Sequence, residues 1–378
     1  MKVFFTGDLF LGGDLLGVHC QDIVKSKLYE QADFRVVNLE QAVSDSVYIE
    51  NKCTLYTGSQ ALKQLQQMKV DAVNLAHNHI QDKGLDGIGE TVDLLNKEKI
   101  KSFGAGINLQ EASKAIELTE NIVLLGYCEF DKPYLKQIEV ADINKPGVNP
   151  LRYEKIISDL SLLQPNQQAI LYFHWGMEHV WLPPTSDIKL ARKLLKDDRV
   201  AAIIGMHSHR VQGIVSYKGK KAYMGLGNFL FPNFYIAPPT QIFYPTEKEK
   251  KQVKFSTRQY HEVYELTYKK WRLVNRVSRV LLFDTKTHKF KSEFVNQNDD
   301  IPKVEPVTIL LNVIYFLWTV LLSGIYKMPT PIYNILYNLH AKQTYFLWRS
   351  QILFFHLRQL GVVKFFEDIK IRIRRKFK

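Results

Sequence analysis

Short apolar runs recur along the chain, and each stops abruptly in polar residues. Val3 to Thr6 stops at Gly7 and Asp8, and the run holding Phe34, Val36 and Val37 stops at Asn38, Leu39 and Glu40. The stretch from Val70 stops at His77, Asn78 and His79, with Asp82 just before Gly84. Ala169 to Phe173 stops at His174, and Val200 to Ile204 stops at Gly205, Met206, His207, Ser208 and His209. Runs of this length, rich in Val, Ile and Phe, predict buried strands. Asn121 to Tyr127 predicts another. Val211 to Tyr217 and Lys221 to Met224, around Lys218-Gly219, predict a hairpin leading into Gly225 to Phe231.

Helical spacing falls between the strands. Leu85, Ile88, Val92 and Leu95 recur on one face, as do Ala61, Leu62, Leu65 and Met68 behind Ser59. Asn108 with Glu111 three residues later has the form of a capping box, and Ser186 opens a helix carrying Leu190 and Leu194. Residues 128–155 and 235–256 read as loops, and residues 260–295 hold two or three further strands. Strands alternating with helices, all with open polar ends, predict an α/β layered sandwich.

The pattern changes near residue 301. Val307 to Tyr326 is 20 residues without a charge, the length of a membrane span, although Asn312, Thr319 and Ser323 interrupt it. Tyr345 to Leu357 is apolar and aromatic except for Arg349, and the chain ends in a basic run from Lys370 to Lys378. The expected division is therefore a catalytic region over 1–300 and a hydrophobic, basic helical tail over 301–378.

Charge follows the same division. The chain of 378 residues carries a formal +13, of which a net +9 lies in residues 327–378. Attraction to anionic partners thus belongs to the tail. The start MKVFFTGD lacks the pattern of a secretory signal, so a cytoplasmic location is expected, with residues 307–378 on a membrane surface. A helical pair packed against the catalytic region is the alternative for the tail. No nucleic-acid-binding module is present, so nucleic acid is not an expected partner. The three cysteines, Cys20, Cys53 and Cys128, are too few and too scattered for a disulfide framework or a thiolate zinc site, and favour a reducing compartment.

Polar residues at five strand ends are hard to explain as packing, because a buried His or Asp is costly unless paired or metal-bound. Asp8, Glu40, Asn78 with His79, His174, and His207 with His209 offer oxygen and imidazole nitrogen but no thiolate. That set suits Mn, Zn or Fe as divalent ions, one or two, with a carboxylate able to bridge a pair. His207 and His209 would face the same side if their segment is extended. His77 is expected to point away into the fold. Trp175 and Trp181 are expected in the core, with the cleft as an alternative place for Trp175.

The ordered motifs GD (Asp8), NLE (Asn38 to Glu40), NH-x-x-D-x-G (Asn78 to Gly84), GAGxN (Gly104 to Asn108), HWGxE (His174 to Glu178), G-x-H-x-H (Gly205 to His209) and LGNFxF (Leu226 to Phe231) resemble the bacterial capsule-synthesis CapA-type proteins. Those are linked to poly-γ-glutamate capsule assembly and are similar to the calcineurin-like metallophosphatases. The resemblance covers roughly residues 2 to 235. It implies an α-β-β-α sandwich and a metal-dependent, phosphoesterase-like hydrolase, with a non-catalytic assembly component of a membrane-associated polymer synthase as the alternative. It implies that Glu40 bridges, that Asp8 and His209 bind one ion, and that Asn78, His174 and His207 bind the other. His79 would donate to the leaving group, and Asp82 and Glu178 would orient imidazoles. Implied partners are an anionic polymer or phosphoester substrate and capsule synthase subunits. Phe10 stands where many metallophosphatases carry a His two residues after the first Asp.

Overall fold

Two mixed sheets carry the strands whose ends were singled out above. The computed structural model describes residues 1–132, 135, 138–298 and 301–376. The first sheet runs Val304–Pro306, Lys289–Gln297, Val277–Asp284, Lys2–Leu9, Phe34–Leu39, Ala72–Asn74, Lys101–Phe103, and Asn228–Leu230 adds to the end of Lys2–Leu9. The second runs Ile214–Tyr217, Lys220–Tyr223, Val200–Met206, Gln168–His174, Ile122–Cys128, Ile116–Thr119. Lys2–Leu9 pairs in parallel with Phe34–Leu39, and Gln168–His174 in parallel with Val200–Met206. Parallel pairing places the C-terminal ends of these strands along a common edge, the usual place for a site in an α/β protein.

Alternation within each strand decides what packs where. Val3, Phe5, Val36 and Ala72 of the first sheet share a core cluster with Leu124, Ile170, Tyr172 and Ile204 of the second. Their neighbours Phe4, Val37 and Val73 point the other way, onto Leu62, Leu65, Ile88 and Leu95. On the second sheet, Val123, Leu125, Leu171 and Phe173 pack with Ile156, Leu160, Ile188 and Leu194. The architecture is mixed α/β, as the alternating pattern predicts.

Four differences from the sequence pattern have local causes. Residues 235–256 hold the strand Gln241–Phe243 and the start of a four-stranded sheet, built on Phe234–Ala237 and packed by Phe10, Phe231 and Trp271. The irregular 128–155 segment ends in a helix, Tyr153–Ser161, whose Ile156 and Leu160 are the only core positions that mark it. Gly58, not Ser59, caps the turn before Leu62–Gln67. The helix within Val307 to Tyr326 is Ile309–Ile325, and no helix among the described residues is long and apolar enough to cross a membrane.

The expected division at 300/301 falls beside residues 299 and 300, which lie outside those described, as do 377 and 378 of the basic run. Val304–Pro306 still pairs within the first sheet. Beyond it, Ile309–Ile325 and the long helical stretch Thr330–Lys376, broken at Gly361, fold back onto the second sheet. Leu322, Tyr326 and Tyr333 join its outer core, Tyr333 Oη donates to Pro183 O at 2.6 Å, and Trp181 N–H donates to His340 Nε2 at 2.8 Å. The opposite faces stay open: Ile309, Leu310, Phe316, Leu317, Leu339 and Phe346 are exposed.

Candidate metal centre

Asp8 enters the site from a strand whose geometry leaves no choice at the preceding residue. A Cβ on Gly7 would lie 1.8 Å from Gly227 O, so only Gly lets the two strands meet there. Asn74 Nδ2 donates to Asn38 Oδ1 at 2.7 Å, and Asn38 Nδ2 donates to Asp8 Oδ1 at 2.8 Å. This amide relay fixes the carboxylate through Oδ1 and leaves Oδ2 facing the His209 ring.

Glu40 is the centre of the arrangement. It is fully buried, and neither carboxylate oxygen has a hydrogen-bond partner. Its Oε1 lies 3.8 Å from His174 Nε2 and 3.8 Å from His209 Nε2. Two buried groups of ligand atoms, Glu40 with His174 and His207, and Glu40 with Asp8 and His209, each lie within 4.8 Å of one another. Glu40 is common to both.

The imidazoles are prepared in different ways. His209 Nδ1 faces Asn228 Oδ1 at 2.7 Å and Asp8 Oδ2 at 3.3 Å. Both oxygens accept, so Nδ1 carries the hydrogen and Nε2 is left as a ligand atom. Asn78 Oδ1 lies 2.8 Å from His174 Nε2. The rings of His174 and His207 are 4.5 Å apart, and the Nδ1 atoms of both are buried without a partner. His207 and His209 do not sit in an extended segment, contrary to the expectation. Both have left-handed φ, 80° and 50°. Turning the backbone at each separates the rings to 6.3 Å and sends one to each donor group. Such conformations cost about 1–3 kcal/mol each and persist where the surroundings enforce them.

Charge reinforces the picture. Burial, then the charge of Asp8, pushes the Glu40 carboxyl well above the usual carboxylate range. Burial, then His207 and His77, holds His174 well below the ordinary imidazole value, and burial pushes His207 down to about 4 although Glu178 opposes it. Burial also acts against a charged His209, but hydrogen bonding and charge from Asp8 outweigh it and raise that ring. A buried carboxylate with no donor and neutral imidazoles with no partner is what a divalent cation would satisfy. The residues present therefore fit a metal, through Asp8, Glu40, Asn78, His174, His207 and His209.

The remaining residues of interest surround this centre. His79 Nδ1 donates to Asp82 Oδ2 at 2.6 Å. Asp82 also takes the Leu55 N–H at 2.5 Å and the Lys52 ammonium at 2.7 Å, and Lys52 in turn bonds Asn78 O at 2.7 Å. Glu178 lines a cavity together with His207. It is 44% exposed, and its partner is His179 Nε2 at 3.7 Å. Burial alone would raise its carboxyl, but His209, His207 and His79 bring it below the ordinary value. His77, set aside on the sequence, lies beside the centre: its ring is 6.0 Å from that of His174, and Nδ1 accepts the His79 N–H at 3.2 Å. Trp175 is core, donating to Met224 O, whereas Trp181 lines the cavity. Phe10 points into the aromatic cluster with Phe231 and Phe234.

Sequence reasoning missed Lys52, Asn228 and His179. Asn228 lies in the LGNF run, where a polar residue within an apolar strand is the available signal. His179 has a left-handed φ and bonds Ser208 O through its own N–H, and its ring lies 5.5 Å from that of His209. Lys52 sits in a segment with no regular pattern.

Residues 2–233 match the family model described as bacterial capsule synthesis protein PGA_cap. The chain belongs to this family. Among curated relatives, this PGA_cap protein is 26% identical over 241 residues to the "PGA biosynthesis protein CapA" of Bacillus subtilis, covering 59% of this chain and 62% of the relative. It is 27% identical over 209 residues to a "Probable polyglutamine synthesis accessory protein" of Mycobacterium tuberculosis, 52% of this chain and 55% of the relative. It is 22% identical over 225 residues to the "Capsule biosynthesis protein CapA" of Bacillus anthracis, 58% and 54% respectively. The chain thus spans a little over half the length of these relatives. The matched family region holds every candidate ligand.

Proposed function

We propose that this PGA_cap protein is a metal-dependent hydrolase of the metallophosphatase type, acting on an anionic substrate in the synthesis or processing of a capsule polymer of the poly-γ-glutamate kind. The observation that carries this reading is Glu40, buried and shared by two donor groups. The names of the relatives support the biological setting. The α-β-β-α layering of that superfamily is part of the proposal, supported by the core that both sheets share and by helices on their outer faces. So is the division into a 1–300 catalytic region and a tail.

One or two divalent ions, when bound, would activate a water and neutralise charge developing on the reacting oxyanion. Asp8 and Glu40 would supply the negative charge that holds such ions, and Asn78, His174, His207 and His209 the neutral ligands. Asp82 takes the Nδ1 hydrogen of His79, so Nε2 is the nitrogen that would first accept a proton and then, as N–H, pass it to a leaving oxygen. Lys52 ties Asp82 to the backbone of Asn78, which keeps the proton donor and the amide in register. Glu178, open to the cavity, stands where substrate enters. The exposed apolar faces of the tail helices, with their basic residues, support docking on an anionic membrane surface.

Metal content and phosphoester hydrolysis of wild type, Glu40→Gln and His207→Ala test the reading. Bound divalent metal and turnover in wild type, both lost in the variants, are expected. A folded wild type that takes up no metal and hydrolyses no phosphoester overturns it. The word "accessory" in the mycobacterial relatives' name favours a second reading, a non-catalytic component that works with capsule synthase subunits. Loss of polymer in cells carrying His79→Ala, with metal content intact, excludes that reading.

A further inference from the structure

Beside the metal centre lies a cavity of about 830 Å³, lined at one end by Glu178, His179 and His207. Its other walls hold three arginines, Arg210, Arg258 and Arg272. Arg210 is only 6% exposed, and its Nε and one Nη have no hydrogen-bond partner. Its guanidinium lies over the Trp181 ring, 5.2 Å from the centroid. Arg258 bonds Trp271 O at 3.2 Å, and Arg272 bonds the Gln351 side chain. Among the described residues, no ion pair joins any of the three to a carboxylate. All three border the same cavity, and burial, then the Arg258 charge, holds Arg272 below its ordinary value.

Guanidiniums gathered around one cavity with no carboxylate paired to them repel one another, most of all at the buried Arg210. Each presents a planar fork suited to a carboxylate or phosphate. The tail lines the same cavity through His340, Thr344 and Trp348, and Gln351 of that helix accepts from Arg272. His340 is held in place by the Trp181 N–H. The tail helix therefore forms part of the cavity's lining, in addition to covering the second sheet.

We propose that Arg210, Arg258 and Arg272, together with the tail helix around His340 and Trp348, form a subsite for a second oxyanion of the substrate, so that the site takes an oligomer bearing repeated carboxylates. This rests on the reading of the centre as a hydrolase site for an anionic polymer, and deepens it. One anionic group would lie at the Glu40 centre while a neighbouring carboxylate of the same chain engages the arginines. A cavity of this volume has the size that buries a ligand larger than a single small anion.

The test is fluorescence anisotropy of the full chain with fluorescein-labelled γ-linked penta-glutamate, before and after chelation. Its partners are the γ-linked penta-glutamine analogue and unlabelled tripolyphosphate as competitor. The wild type is expected to bind the acidic peptide in a salt-dependent way and to ignore the amide analogue. Arg258→Gln and Arg272→Gln, at exposed and half-buried positions, are expected to weaken binding about tenfold each with the folded state and metal content unchanged. Trp348→Ala is expected to weaken it as well. Arg210→Gln is the more sensitive variant but risks the fold, so the other two decide. Equal binding of the acidic and amide peptides overturns the proposal, as does unchanged affinity in both arginine variants. Arginine-dependent binding of tripolyphosphate alone also overturns it, because the subsite then serves phosphate chains. Arginine-dependent peptide binding in a protein that takes up no metal sustains the subsite while the hydrolase reading fails. Intact metal uptake and hydrolysis with arginine-independent binding give the reverse.

Discussion

Asp82 receives the Nδ1 hydrogen of His79 at 2.6 Å while its other oxygen holds Lys52 at 2.7 Å. One buried carboxylate thus sets the orientation of the His79 imidazole and, through Lys52, is tied to the backbone of Asn78. If His79 delivers a proton, His79→Gln lowers kcat by about 10²- to 10⁴-fold and leaves bound metal unchanged. Lys52→Met acts at one remove, through Asp82, and lowers kcat by about 10-fold. Steady-state kinetics beside metal analysis on the same preparations checks both.

Gly7 carries a prediction about folding. A methyl group there meets Gly227 O at 1.8 Å, and the carbonyl belongs to backbone that cannot swing aside. Asp8 N–H also donates to that carbonyl at 3.1 Å. Gly7→Ala is expected to destabilise the protein by about 3 kcal/mol and to lower metal occupancy, because Asp8 shifts with the strand. Urea unfolding of the two proteins measures the first effect.

Acid should loosen the tail. His261 packs on Phe355 and His356 of the long tail helix, ring centroids 5.1 and 5.3 Å away. Burial, only partly offset by its bond to Glu262 O, pushes His261 down to about 4, and burial also lowers His356. The charged and titratable groups around them are Glu262, Tyr264, Asp368 and Arg372, the last paired with Glu262 at 3.0 Å and with Asp368 at 2.6 Å. A histidine whose folded value lies below its unfolded one takes up protons on unfolding. Its contribution is present above about pH 6.5 and is lost as the pH falls toward 4, on the order of 3 kcal/mol for His261. Hydrogen-exchange protection factors in residues 345–360, taken against the intrinsic rate at each pH, are expected to fall between pH 7 and pH 4.5, and His261→Gln to flatten that dependence.

The apolar faces of the tail predict lipid binding. Leu310 and Leu317 are 71% and 59% exposed on the helix that follows Val304–Pro306. Full-length protein is expected to co-sediment with vesicles containing anionic lipid, less so at high salt, and not with purely zwitterionic ones. Leu310→Glu with Leu317→Glu should abolish sedimentation while the fold is retained. Equal recovery in the supernatant with and without anionic vesicles counts against the membrane proposal.

The elements that were legible share a physical cause. A buried strand must be apolar along its length, so an abrupt polar end stands out, and Asp8, Glu40, His174, His207 and His209 were visible for that reason. Their meeting at one place follows from parallel pairing. What escaped notice depends on distant parts of the chain. Lys52 reaches the site from an irregular segment, and the arginine wall joins residues 210, 258 and 272 through packing that no local period encodes. Left-handed φ at His207 and His209 also has no signature, because His tolerates that region only when its surroundings impose it. Alternation along a strand places neighbours on opposite faces and so predicts that His77 points away from the centre. The strand ends at Asn74, so alternation no longer applies at that position.

Asp8 lies in the first sheet and Glu40 directly follows its strand Phe34–Leu39; His174 ends a strand of the second sheet and His207 directly follows Val200–Met206. A cation held by both sets would be a rivet between two halves whose shared core is apolar and non-directional, added to the few polar ties across the seam such as His209 Nδ1 to Asn228 Oδ1 and His174 Nε2 to Asn78 Oδ1. The loaded protein should therefore melt as one cooperative body, with both halves failing together. Stripped of metal, the same chain is free to let one sheet slide or open ahead of the other, so the centre that reads as chemistry is equally a clamp on the molecule's mechanics.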